Sequence, residues 1–351
     1  MKSGFRKILL LVLAVALLPL LPLSPAAAEE DGDEQEFVSV LELPEAKKGS
    51  FAELTAAENP LVAPKDKYYK FTNGAKTASS YANPSITVNI GTGKVHQTYY
   101  MYARVKIASP FQLRTSAVEE SLAKVTTVVP GKIASRTKAV LAVNGVLESD
   151  VTASGVGARL DGPVLLQGEW KRPSDTASEQ KIEKWRAEEG QDTLVIDDEG
   201  NLNIVSGDTW GDIYDQIVGM GEHAVNAFCF GPALVVDGEP VYGYYSRAIS
   251  SAKLAQRMAI CQTGPLEYLL ITSEGPENPG SKGLKLDQFV ELIASFGDVK
   301  TAYNLDGGSS AALIFRKGTE KWAKINCPRG GKTRPVRDVI YFADAWIPGG
   351  K

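Results

Sequence analysis

The sequence predicts an α+β fold: a single domain built on a mostly antiparallel or mixed β-sheet with a few flanking helices. Short runs of β-type residues recur along the chain, bounded by Gly, Asn, Asp and Pro. Only two or three stretches show helical spacing. No alternating strand–helix–strand series appears, nor any GxGxxG or GxxxxGK(S/T), so nucleotide-cofactor folds are disfavoured.

The 351 residues, 44% hydrophobic and 23% charged, have an ordinary globular composition with room for a large core. A net charge of -4 and a pI near 5.5 argue against a nucleic-acid partner. Lys2, Arg6 and Lys7 precede an apolar run from Ile8 to Leu23, and Ser24-Pro25-Ala26-Ala27-Ala28 leads into Glu29. A basic start, an apolar centre and an A-x-A exit predict a secretory signal peptide over 1–28, hence a secreted or cell-surface protein. Pro19 and Pro22 interrupt the run, so no stable membrane insertion is expected after cleavage.

Residues 29–84 read as an acidic leader followed by a turn-rich segment, with the main domain over 85–351. Ser85 to Ile90 alternates like a strand and should end at Gly91-Thr92-Gly93. Thr98 to Ile107 and Phe111 to Thr115 are further β-like runs, and Ser121 to Arg136 is a helix or turn segment. Ala139 to Val143 is a buried-strand pattern running into Asn144-Gly145. Ser174 to Glu189 is a charged, solvated helical insertion. Thr193 to Val205 makes a hairpin around Asp197-Asp198-Glu199-Gly200, and Trp210 to Val218 is helical. Ala233 to Val236, Arg257 to Cys261 and Tyr268 to Thr272 are strands. Leu286, Phe289, Val290, Leu292, Ile293 and Phe296 share one helical face, with Gly297 as the stop. That helix feeds a strand from Val299 to Tyr303, and Val339 to Phe342 is the last strand.

The chemistry concentrates at Asn304-Leu305-Asp306-Gly307-Gly308-Ser309-Ser310. Paired glycines let the backbone approach a ligand, while the Asp and the serines bring a carboxylate and hydroxyls. The plainer reading is an Asp-Gly hairpin turn between two strands. Three cysteines, Cys229, Cys261 and Cys327, form no CxxC pair, and with only His96 and His223 a zinc site built on HExxH is excluded. Oxygen-rich turns such as Asp197 to Gly200 offer ligands for a structural divalent cation such as calcium, but they lack the ordered EF-hand spacing. A structural hairpin is the better reading there, and no cofactor or metal is called for.

Taken together, Val143-Asn144-Gly145, Asn226 through Leu234 with Asp237-Gly238, Arg257 to Ile260, the helix from Leu286, Asn304 to Ser310 and Arg334-Pro335-Val336-Arg337 resemble the phosphodiester glycosidase family. The likeness spans roughly Tyr100 to Phe342. Its eukaryotic member removes N-acetylglucosamine from a sugar-1-phosphodiester, and bacterial relatives are exported, some called exopolysaccharide-biosynthesis proteins. The resemblance implies an exported hydrolase cleaving a glycosidic bond to a phosphodiester in a cell-wall or extracellular polysaccharide.

On that reading Asp306, Arg257 and Asn304 are the catalytic candidates. Asn144, Gly145, Gly307, Gly308, Ser309, Arg334 and Arg337 are candidates for substrate binding. Asp306 can serve as nucleophile, base or partner of an oxocarbenium-like transition state. The arginines suit a phosphodiester through their bidentate fork, and the Gly307 and Gly308 amides suit an anion nest. Two departures stand out. Relatives often read Asn-Gly-Gly-Phe-Phe where Asn144-Gly145-Val146-Leu147 stands, and Arg-Thr-Ala-Ile-Gly where Arg257 to Cys261 stands. A non-catalytic cell-surface glycan-binding protein using the same cleft is the alternative function.

Overall fold

The computed structural model describes residues 41–55, 61–72, 74–119, 126–145, 162–173, 177–242, 251–318, 321–326 and 333–349. The expected signal peptide, Val146-Leu147 and Cys327 lie outside them. The described strands form four sheets, and every pairing between named strands is antiparallel. The α+β class read from the sequence is the one observed.

The largest sheet has nine strands. In spatial order they are Glu239–Pro240, Ala233–Val236, Thr301–Leu305, Met258–Gly264, Glu267–Ser273, Thr98–Ile107, Ile86–Val95, Ala78–Asn83 and Tyr69–Phe71. A second sheet orders Lys321–Lys324, Leu313–Lys317, Leu141–Asn144, Asp338–Phe342 and Leu113–Ala117. A third orders Leu202–Val205, Thr193–Asp197, Ala224–Cys229, Val164–Leu166 and Glu169–Arg172. Gly49–Phe51 pairs with Trp346–Pro348 in a small ribbon.

The helices are α1 (Pro130–Arg136), α2 (Glu179–Arg186), α3 (Trp210–Gly219) and α4 (Leu286–Ala294). Side-chain alternation explains how they cover the sheets. In Met258–Gly264, Met258 and Ile260 point into one cluster together with Leu141, Val143, Phe342, Leu194 and Phe228, residues of all three large sheets. Ala259 and Cys261 point the other way, onto Phe289, Val290 and Ile293 of α4. The second sheet shows its outer face, Ala142, Val339 and Tyr341, to Ile133 and Ala134 of α1. The third packs Val195 and Ala227 against Trp210, Ile213 and Ile217 of α3. α2 buries no residue, as its charge predicts. Cys229 and Cys261 are buried free thiols, and burial pushes the Cys261 thiol up.

Two expectations change. The strand from Ile86 does not stop at the glycines; it runs on to Val95. Gly91 and Gly93 lie under the side chains of Tyr102 and Tyr100, where a Cβ would come within 2.2 Å of a Tyr102 ring carbon and 2.3 Å of the Tyr100 hydroxyl. The boundary expected at 84/85 falls inside a sheet, since Ala82 pairs with Thr87 and Asn83 with Ile86 across it. His96 sits in the tight turn after Val95 at φ 47, with Nε2 3.5 Å from Glu291.

Candidate active site

The hairpin reading of the Asp306 turn fails. Thr301–Leu305 belongs to the nine-stranded sheet and Leu313–Lys317 to the second sheet, so Asp306 to Ala312 is where the chain crosses from one sheet to the other. Register places Asp306 at a shared edge. Met258 pairs with both Leu305 and Thr272, which brings Arg257, Ser273 and Asp306 to the same end of three adjacent strands. Val339 pairs with Asn144, so Asn144-Gly145 and Asp338 lie together at the end of the second sheet.

Asn144 ties the two ends together. Its Nδ2 donates to the Asp306 carbonyl at 2.8 Å, and its Oδ1 accepts from the Ala312 amide at 2.9 Å. The side chain is fully buried. It therefore holds the turn at both ends through backbone groups that would otherwise be buried without partners. Gly145 is required by close approach: its amide donates to the Asp338 carbonyl at 3.0 Å, and a Cβ there would lie 1.9 Å from the Asp338 carboxylate.

The two glycines of the turn differ in what they need. Gly307 lies against the Gln256 carbonyl, where a Cβ would come within 2.5 Å of the oxygen. Gly308 has open space around it but φ +55, a conformation that favours glycine. The anion nest expected of these residues is not formed. The Gly308 amide already donates to the Gln256 carbonyl at 2.9 Å, and the Gly307 amide serves the Asp306 carboxyl.

Burial raises the Asp306 carboxyl above its usual range. The Ser310 hydroxyl, the Arg334 charge and the Gly307 amide oppose that rise without cancelling it. Ser309 is exposed and Ser310 buried. Sequence reasoning named Ser309 and passed over Ser310, although a turn that brings residue 310 back over residue 306 selects the second serine.

The arginines take distinct places. Arg334 is half-buried, and its amide donates to the Ser309 carbonyl at 3.1 Å, docking the 333–337 segment on the turn. Arg257 is buried, and burial pulls its pKa down to about 10. Its Nε donates to the Leu284 carbonyl at 3.1 Å and its Nη2 to the Lys253 carbonyl at 2.8 Å. Those two donors brace the loop before its strand, so the bidentate fork expected of Arg257 is already in use. Arg337 is buried beside Asp338; burial is the main cause lowering its pKa, and the Arg172 charge adds to the effect. Asn304 donates from Nδ2 to the Gly231 carbonyl at 2.8 Å, while its Oδ1 is buried and accepts no hydrogen bond. No cluster of His, Cys, Asp and Glu able to hold a metal occurs among the described residues.

This edge, a carboxylate on the crossing between two sheets with an arginine acting on it, lies wholly within residues 137–343, which match the family model described as phosphodiester glycosidase. The match covers more than half of the 351 residues, and the chain belongs to that family. Among solved structures, the fold resembles the catalytic domain of zebrafish N-acetylglucosamine-1-phosphodiester alpha-N-acetylglucosaminidase, a structure described as auto-inhibited by its pro-peptide. That likeness has 16% identity and a TM-score of 0.53, and covers 89% of this chain and 99% of that one. A hypothetical protein from Synechocystis matches at 15% identity and a TM-score of 0.48, over 74% of this chain and 62% of its own. No curated protein sequence matches the chain.

Proposed function

We propose that the chain is an exported hydrolase that cleaves the glycosidic bond of a sugar-1-phosphodiester in a cell-wall or extracellular polysaccharide. The observation that carries this reading is the half-buried Asp306 carboxyl at the crossing between two sheets, in a member of the phosphodiester glycosidase family. The leaving group is a phosphate monoester, which departs with little protonation. The demands on the protein are then a carboxylate at the anomeric carbon, a cation for the diester and hydrogen bonds to the sugar.

Asp306 meets the first demand as nucleophile or as stabiliser of an oxocarbenium-like transition state. Desolvation strengthens its interaction with developing positive charge. Arg334 is the cation best placed for the phosphate, because its charge already acts on the Asp306 carboxyl. Arg257 and Asn144 act as positioning residues that hold the strand ends. The buried Asn304 Oδ1 has an unused acceptor for a sugar hydroxyl or N-acetyl N–H. Export is supported by the three-part pattern over residues 1–28. Among the described residues no helix is long and apolar enough to cross a membrane.

The test is a screen of sugar-1-phosphodiesters against the secreted protein, with a chelator arm and an Asp306→Asn control. Hydrolysis in isotope-labelled water should place the label on the sugar hydroxyl. Label on the phosphate would instead mean P–O cleavage and end the glycosidase reading.

A further inference from the structure

Next to the second sheet lies an open groove of about 1010 Å³, walled by α1 on one side and the strands Leu313–Lys317 and Lys321–Lys324 on the other. Gly131 explains the close fit of the two walls, since a Cβ there would lie 2.9 Å from the Trp322 carbonyl. Lys76, Lys132, Arg136, Lys317 and Lys321 line it, all exposed, and none is in an ion pair among the described residues. Lys324 adds a sixth cation, and no carboxylate lines the groove among the described residues. The whole chain carries a net charge of -4, so this concentration of one sign is local. It is also invisible in the sequence, because its members come from three separate segments.

We propose that this groove binds a linear anionic glycan with phosphodiesters in its backbone, and so holds the polymer whose sugar-phosphate bond is cleaved at Asp306. The choice of polymer rests on the function proposed above. Three observations select it. At about 1010 Å³ the groove lies at the upper end of the roughly 300–1,000 Å³ of small-molecule pockets, and it is open rather than enclosed, as an extended ligand requires. A concave wall lined by one sign of charge focuses its field on a chain lying within it. Trp322, half-buried and fixed by its Nε1 donating to the Ala139 carbonyl, presents an aromatic surface on which a sugar ring can rest.

A nucleic acid would call for successive stacking aromatics, and Trp322 is the one aromatic in the described lining. A membrane surface cannot enter a concave site. Thr333 lines the groove, and the next residue, Arg334, bonds through its amide to the Ser309 carbonyl of the Asp306 turn.

The experiment uses the secreted full chain and a fluorescently labelled poly(hexosyl phosphate), sugars joined through 1-phosphodiesters, with affinity read by anisotropy over a salt series. Wild type should bind, with affinity falling as salt rises. The double variant Lys132→Glu/Arg136→Glu should lose tenfold or more, and the milder Lys317→Gln/Lys321→Gln severalfold. Both should still cleave a small sugar-1-phosphodiester at the wild-type rate. Charge reversal that leaves the affinity unchanged overturns the proposal, as does equal binding of uncharged dextran. Tighter binding of a single-stranded oligonucleotide or of phosphatidylglycerol vesicles also overturns it, in favour of that partner. If the polymer binds and charge reversal abolishes binding while no small diester is cleaved, the groove stands and the hydrolase reading falls.

Discussion

Two turns of this molecule begin with an aspartate and carry glycine, yet they do opposite things with the carboxylate. Asp197 opens the turn of a true hairpin within one sheet. Its carboxylate accepts from the Glu199 amide at 3.0 Å, the Asn201 amide at 2.7 Å and the Asn203 side chain at 3.0 Å. It is saturated by its own turn, which is what a structural Asx turn needs. Asp306 opens a turn that leaves one sheet for another, and burial there outweighs the groups that favour its ionised form. The local vocabulary is the same in both; what distinguishes the candidate carboxylate is where the flanking strands go.

The sharpest way to break the comparison is to remove each carboxylate. Asp306→Asn should lower kcat on a sugar-1-phosphodiester by about a thousandfold or more with the fold intact. Substantial turnover by that variant would place the chemistry elsewhere. Asn144→Ala should leave the Asp306 carbonyl and the Ala312 amide buried without partners. At about 1–3 kcal/mol for each group, it should cost roughly 2–6 kcal/mol in denaturant unfolding and lower kcat as well. Asp197→Ala should cost about 1–2 kcal/mol of stability and leave kcat unchanged.

The paired glycines separate more finely. Gly307→Ala should disrupt the turn, because its Cβ meets backbone, whereas Gly308→Ala should cost only about 1 kcal/mol, the penalty of φ +55 in open space. The smallest signal is in pH. A carboxyl raised by burial is protonated in the fold at pH values where it is already ionised in the unfolded chain. Its contribution to stability therefore falls as pH rises from the ordinary carboxylate value to the raised one, and is flat above. Activity that needs the carboxylate should rise over the same interval. Asp306→Asn should flatten that segment of the stability profile.

Much of this was legible in the sequence. Continuous apolar runs marked the strands Met258–Gly264 and Glu267–Ser273, which bury both faces, and helical spacing marked α4, which buries one. The candidate motif was legible because Asp, Gly and Ser are scarce together at a strand end. What local pattern could not reveal was long-range pairing. That the strands on either side of Asp306 belong to different sheets depends on register with Met258 and Ala142, residues far away in sequence. The same limit hid the use of the Gly308 amide by Gln256, the return of Ser310 over Asp306 and the spent donors of Arg257. It also let Gly91 and Gly93 pass as strand breakers, since only the cross-strand tyrosines explain them.

The bond from Asn144 to the Asp306 carbonyl joins parts of the chain 162 positions apart. The two sheets therefore reach the candidate site as independent suppliers, one bringing the carboxylate and the other the floor it rests on. Neither sheet can shift against the other without straining this joint, so the place of the Asp306 carboxyl is set by the packing of the whole core.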